Sequence, residues 1–187
     1  MLIGENVWLR VATADDALLL SEWFSDPEYL GPYYNVWPET RQDWEAHLTK
    51  QLDDADASTF LAMTKDGDEP VGTFGYWIPY SLSRMFQGYE IWYQVHHASR
   101  GRGVATQAAC LLVNHLFDAT PIERIQATAV DGNDASCRVL ERAGMQRDGV
   151  YRKVFFLHGR YVDTHLYSIV RDDWKDEDAY RAARPPF

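Results

Sequence analysis

The stretch from Gly88 to Phe117, "GYEIWYQVHHASRGRGVATQAACLLVNHLF", constrains this chain more than any other. It joins an alternating strand to a helix through a turn that carries two glycines, Gly101 and Gly103. On the strand, Tyr89, Ile91, Tyr93 and Val95 share one face, while Glu90, Trp92 and Gln94 share the other. In the helix, Ala105, Ala108, Ala109, Leu112 and Leu116 form one apolar stripe. Glycine costs about 1 kcal/mol against alanine inside a helix, so two of them at its mouth need a reason. Such a turn leaves backbone N–H groups bare, lets a ligand approach the main chain, and adds the positive end of the helix dipole. It is an anion site in waiting. Two familiar versions do not fit. A P-loop ends in Gly-Lys-Ser/Thr, which is absent here. The dinucleotide fingerprint needs a glycine at Thr106 and a βαβ unit with an acid beyond its second strand.

The flanking segments predict a mixed fold. "NVWLRVAT" alternates as a strand, and "TADDALLLSEWFSD" follows as a helix with a Thr13 cap and helical spacing of Ala17, Leu20 and Phe24. "PEYLGPYYNVWPET" reads as a Pro/Gly/aromatic loop, and a helix is expected near Arg41 to Leu52. "TFLAMTKDGDEPVGTFGYWI" is a hairpin around a polar turn. "ERIQATAV" is a strand, and "NDASCRVLERAGM" is a helix capped by Asn133 and ended by Gly144. "GVYRKVFFLHGRYVDTHLYSIV" is a long hairpin that turns at His158-Gly159. The final "RDDWKDEDAYRAARPPF" is polar and expected at the periphery. This order, with many adjacent antiparallel strands, predicts one α+β domain over residues 1–174 and a polar tail over residues 175–187.

Composition narrows the partners. The 187 residues, 46% of them hydrophobic, suit one domain with a full core. A net charge of −10 argues against nucleic acid and anionic membranes, and favours cationic small molecules or basic peptides; solubility alone explains it as well. No apolar run reaches the ~18 residues of a membrane span, and "MLIGENVWLR" lacks the order of a signal peptide. Cys110 and Cys137 lack metal spacing, which points to a reduced cytoplasm.

Arg100, Gly103 and Ala105 form Arg-x-x-Gly-x-Ala after a strand, and this resembles the pyrophosphate-binding motif of the GCN5-related N-acetyltransferases, the GNAT superfamily. "NDASCRVLERAGMQRDGVYRK" and "FLHGRYVDTHLYSIVRDDW" resemble the second CoA-facing segment and closing hairpin of its ribosomal-protein-alanine acetyltransferase-like branch. The resemblance covers residues 4–174 and is most specific over residues 89–174. It implies a mixed, mostly antiparallel sheet flanked by helices, with "YEIWYQV" and "ERIQATAV" as two splayed central parallel strands. It also implies acetyl-CoA as co-substrate, with pantetheine between those strands on the backbone of Gln94, Val95 and His96. The pyrophosphate would sit on the amides of Arg102, Gly103, Val104, Ala105 and Thr106, with Arg100 and Arg102 adding charge and Gly101 and Gly103 keeping side chains out of the way. Asn133 would contact pantetheine, cap its helix, or do both. Ser136 would face the CoA sulfur, as a hydrogen bond to the developing thiolate rather than a strong acid, or be an ordinary first-turn serine.

The amine must lose a proton. An α-amine of pKa about 8 is roughly one-tenth free at pH 7, and a lysine-like amine near 10.4 far less. Glu90, on the face with Trp92 and Gln94, is the candidate base, since an aromatic pocket raises a carboxyl pKa. A structural hydrogen-bond role and a water wire to Asp163 or His165 stand beside it. Tyr33, Tyr34, Trp37, Trp77, Trp92 and Asp163 are the candidate acceptor contacts, with Tyr80 close by in sequence; the aromatics serve equally as core cover. His96-His97 lacks a third metal ligand at usable spacing, so no metal is expected. Asp163, His165 and Tyr167 with Ser136 imitate a hydrolase triad, but no Gly-x-Ser-x-Gly elbow is present. The implied activity is direct acetyl transfer to a primary amine, either a protein N-terminus or a small molecule, by a monomer or homodimer. A CoA-binding sensor without catalysis is the rival, and an aromatic-ligand binder independent of CoA is the third reading.

Overall fold

Alternation along each strand decides which side of the sheet its residues face. The computed structural model describes residues 1–36, 38–52, 56–65, 67, 69–79 and 88–175, so Trp37, Tyr80 and the tail beyond residue 175 lie outside the described residues. The strands are β1 (Leu2–Ile3), β2 (Val7–Val11), β3 (Ala57–Thr64), β4 (Pro70–Trp77), β5 (Gly88–Val95), β6 (Arg124–Val130), β7 (Gln146–Leu157) and β8 (Arg160–Val170). They form one sheet in the order β1-β2-β3-β4-β5-β6-β8-β7. The helices are α1 (Ala17–Ser25), α2 (Pro27–Leu30), α3 (Arg41–Leu52), α4 (Val104–Ala119), α5 (Asp134–Arg142) and α6 (Arg171–Lys175).

On β3, Phe60 and Ala62 join the core under α4, with Leu112, Val113 and Leu116. Their neighbours Leu61 and Met63 point the other way, to Leu20 of α1 and Trp44 and Leu48 of α3. Helices therefore cover both faces, as the period of two requires. The expected hairpins and the turn at His158 and Gly159 are present, with φ of 48° and 81° at these two residues. Positive φ at both central positions is the geometry that matches strand twist.

β5 and β6 are the parallel pair, and they pair only at Gly88↔Arg124, Tyr89↔Ile125 and Glu90↔Gln126. Beyond Glu90 the two strands part. β5 continues along β4 as far as Gly72↔Val95, and β6 continues along β8 as far as Val130↔Thr164. The splay expected between these strands thus opens at Ile91 and widens toward the glycine turn.

Two expectations need correction. The segment after Asp26 is not all loop, since Pro27–Leu30 forms one helical turn in which Asp26 Oδ1 accepts from Glu28 N at 2.9 Å. Asp before Pro is a start signal for a helix, and it drives Tyr29 into the core at 0% exposure, its hydroxyl 2.7 Å from Thr73 Oγ1. The start of the C-terminal segment is not peripheral either. Trp174 stacks on Phe117 at 5.3 Å and donates to Asn114 Oδ1 at 3.0 Å, while Arg171 Nε donates to the Ile122 carbonyl at 2.8 Å. A polar average hid one apolar anchor.

Candidate active site

The parted strands, the glycine turn and the start of α5 enclose a cavity of about 710 Å³. That volume lies within the ~300–1,000 Å³ typical of small-molecule sites. At its base, Gly101 and Gly103 have φ of 73° and 79°, a region that favours glycine. A Cβ on Gly101 would meet no atom within 4 Å, and one on Gly103 only Gln107 Nε2 at 3.7 Å. The backbone conformation requires glycine; crowding by the protein does not. The space above the turn is open, next to the first-turn amides of α4, which have no acceptor within the helix. Val104, Ala105 and Thr106 line the cavity with both glycines. Arg102 is exposed and outside the lining.

On the α5 side, Asn133 accepts from Ser136 N at 3.2 Å and so caps the helix. Ser136 Oγ lies 2.7 Å from the hydroxyl of Tyr93 on β5. Tyr93 stacks on Phe74 at 5.7 Å, and burial pushes its phenol pKa well up, against a smaller opposing effect of the Ser136 bond. The phenol therefore keeps its proton, and the serine is held across the gap from β5. Both residues line the cavity.

Glu90 lies at the closed end of the splay. Its Oε2 accepts from Gln126 Nε2 at 3.1 Å, and Gln126 is its register partner on β6. Burial raises the Glu90 pKa, and the Gln126 bond opposes that in part. Trp77 sits opposite Glu90 across the β4–β5 ladder, and Trp92 is two residues along. A desolvated carboxylate beside two indoles is thus built into one end of a cavity whose other end is the glycine turn and the first turn of α4.

Residues 6–146 match the family model described as Acetyltransferase (GNAT) domain. The chain belongs to the GNAT N-acetyltransferases. It is 27% identical over 178 residues to the N-acetyltransferase p20 of Bacillus licheniformis, covering 92% of this chain and 97% of that one. It has the fold of the ribosomal-protein-S5-alanine acetyltransferase of Vibrio fischeri, with TM-score 0.81 and 22% identity over 92% of this chain and 97% of the other. It likewise superposes on the spermidine N-acetyltransferase of Vibrio cholerae in complex with CoA and spermine, with TM-score 0.79, 15% identity, and coverage of 92% and 99%. The likeness to the ribosomal-protein-alanine branch therefore holds at the level of the fold.

In this GNAT domain several residues singled out in the sequence have other engagements. Arg100 lines the cavity, yet its guanidinium donates to the carbonyls of Val95 (2.9 Å), Glu28 (3.2 Å) and Tyr29, so it ties the turn to α2. Gln94 also lines the cavity, and its side-chain amide donates to the Tyr29 and Leu30 carbonyls. His96 gives its N–H to Val71 O at 2.8 Å and its ring accepts from Ala98 N, outside the cavity lining. Asp163 is also outside that lining, accepting from Lys153 N at 2.9 Å. His165 is 3.0 Å from Asp131 Oδ1 and 3.8 Å from Cys137 Sγ, and Tyr167 donates to Glu141 at 3.2 Å. None of these three bonds involves the Ser136 hydroxyl. Tyr33, Tyr34, Trp77 and Trp92 do line the cavity.

Sequence reasoning missed Tyr93, Gln126, Arg138 and Arg142. Tyr93 was placed on the core face, which is right for its ring, but its hydroxyl reaches past the core to Ser136. Gln126 is 4% exposed in a strand of small and β-branched residues, and a lone amide in that company was the available signal. Arg138 and Arg142 line the cavity from α5, and their i,i+4 spacing was legible.

Proposed function

We propose that the chain transfers an acetyl group from acetyl-CoA directly to a primary amine within a ternary complex. The observation that carries this reading is the parting of β5 from β6 over one cavity that holds the glycine turn, Ser136 and Glu90. The residues present fit CoA. The open, left-handed glycines leave the first-turn amides of Val104, Ala105 and Thr106, which have no acceptor within the helix, to take a pyrophosphate, and Arg138 and Arg142 add positive charge on the same wall. The β5 backbone from Ile91 to Val95 has no ladder partner on its β6 side, so pantetheine amides can add there as a strand would, except at the Val95 carbonyl, which Arg100 already holds. His96 is left out of that role, because its N–H already bonds β4.

Bound acetyl-CoA supplies the thioester. Glu90, with its pKa raised by burial, takes the proton that the attacking amine must lose. Ser136, oriented by the Tyr93 phenol, donates toward the sulfur as the carbon–sulfur bond breaks and charge develops there. A deciding experiment pairs calorimetry with acetyl-CoA consumption. The wild-type chain is expected to bind acetyl-CoA and consume it with an amine, and Gly103→Val is expected to lose binding while remaining folded. Equal affinity in that variant would falsify the cradle. Binding without turnover for any amine would make the chain a CoA sensor.

A further inference from the structure

The end of the cavity away from the glycine turn has its own chemistry. Trp77 and Trp92 stack with ring centroids 6.0 Å apart and planes 24° from parallel. Trp92 lies over Gly75, where a Cβ would come within 2.5 Å of indole atoms Cε2 and Nε1. Gly75 is thus the slot that lets the indole lie down on the sheet. Phe24 meets Trp92 edge-on at 6.3 Å and 72°, so the platform is braced from behind without any ligand. Tyr34 and Phe155 approach to 6.2 Å, and both line the same cavity.

Charge there is sparse. Among the described residues that line the cavity, Glu90 is the acid, against Arg100, Arg138 and Arg142. Asp163, the other acid that the sequence offered, is turned toward Lys153. One ammonium finds a carboxylate beside aromatic faces, which suits a cation through both pairing and the ring quadrupole. A second ammonium on the same molecule would have to leave water with no second carboxylate among the described lining residues to meet it, Glu39 acting on Tyr34 from outside that lining. One side of the cleft is also bridged. The segment after α2 is strapped across to the far wall by Tyr33 Oη donating to Gly132 O at 2.7 Å and Asn35 Nδ2 donating to Phe156 O at 2.6 Å, and His158 Nε2 lies 3.0 Å from Pro32 O. Those bonds hold one side of the cleft shut against a polypeptide.

We infer that the acceptor is a small primary amine bearing one positive charge and a flat apolar group next to it. The inference rests on the transferase reading above and names the substrate class of the same site. The flat group lies on the Trp77–Trp92 platform, and the amine reaches Glu90. Initial rates of the full chain at saturating acetyl-CoA test it, with 2-phenylethylamine, tryptamine, spermidine and an alanine-terminated peptide as acceptors. The two aryl amines are expected to exceed spermidine and the peptide in kcat/KM by at least about tenfold, the scale on which an apolar pocket discriminates. Trp92→Leu, and Trp77→Leu as a second variant, are expected to raise KM for 2-phenylethylamine by about tenfold while calorimetric affinity for acetyl-CoA stays within about twofold. Spermidine or the peptide matching the aryl amines overturns the inference and leaves the transferase reading standing. So does an unchanged KM in a folded Trp variant. Acetyl-CoA consumption with none of the four overturns the transferase reading itself.

Discussion

Ser136 and Tyr93 form a unit that neither residue announces alone. A serine hydroxyl is free to rotate, and the 2.7 Å contact with a phenol that burial keeps protonated holds it in place. Removing a donor to developing charge costs about 10²–10³ in kcat in the best-measured oxyanion case, and sulfur is a weaker acceptor. Ser136→Ala is therefore expected to lower kcat by about 10² at most, with acetyl-CoA affinity retained. Tyr93→Phe is expected to lower kcat by less, because the serine remains but is no longer oriented. A Tyr93→Phe defect seen wholly in acetyl-CoA affinity would mean that the phenol shapes the cleft and does not position the serine. Glu90 is the other residue-scale test. Its pKa is raised in the fold, so its contribution to stability is complete below the unfolded carboxyl pKa and is lost as pH rises through the folded value. Glu90→Gln is thus expected to be at least as stable as wild type at pH 7 while losing activity. The acidic limb of kcat/KM should vanish, and the defect should shrink as pH nears the amine's own pKa. A rate loss equal at every pH would assign Glu90 a structural role.

At the scale of elements, the corner between β2 and α1 shows how a local signal becomes tertiary support. Asp16 accepts from Thr13 N at 2.8 Å, and both its oxygens take hydrogen bonds from Arg10 at 2.7 Å. Burial pushes the Asp16 carboxyl up, but the bonds from Arg10 and Thr13 more than offset this and hold it below the usual carboxylate range. Its contribution is therefore present above the unfolded carboxyl pKa and is lost as pH falls through the folded value. Asp16→Asn is expected to cost about 1–2 kcal/mol at pH 7, with the difference closing in acid. Denaturant melts of the two proteins at pH 7 and pH 3 check this, and an equal cost at both would point to packing rather than charge. The glycine turn is the same kind of object one level up. Its two positive φ values were signalled by the glycines themselves, whereas the clasp of Arg100 on the carbonyls of α2 was not. An arginine beside a phosphate motif reads as a phosphate ligand until the fold brings three carbonyls to it.

Across the whole molecule, the cavity joins two halves of one sheet, β1–β5 and β6–β8, which touch at only three register pairs. A ligand in the splay contacts both halves and so couples them. Acetyl-CoA at about 100 times its Kd is expected to raise unfolding stability by about 2.7 kcal/mol, in a single transition. A ligand that stabilised one of two separate transitions would show that the halves unfold independently. Strand and helix order, the α+β class and the left-handed glycine turn were all legible along the chain, because each is written within a few adjacent residues. A period of two assigns faces, a cap starts a helix, and a glycine pair permits positive φ. The resemblance to GNAT proteins added the splay, and the family match bears out that membership. What only the tertiary structure decided is where the strands part, which carbonyls claim Arg100, why Asp163 turns from the cavity, and how Tyr93 meets Ser136 from 43 residues away. Those contacts depend on how far two strands diverge and how deep one ring is buried, and no local run of residues encodes either quantity.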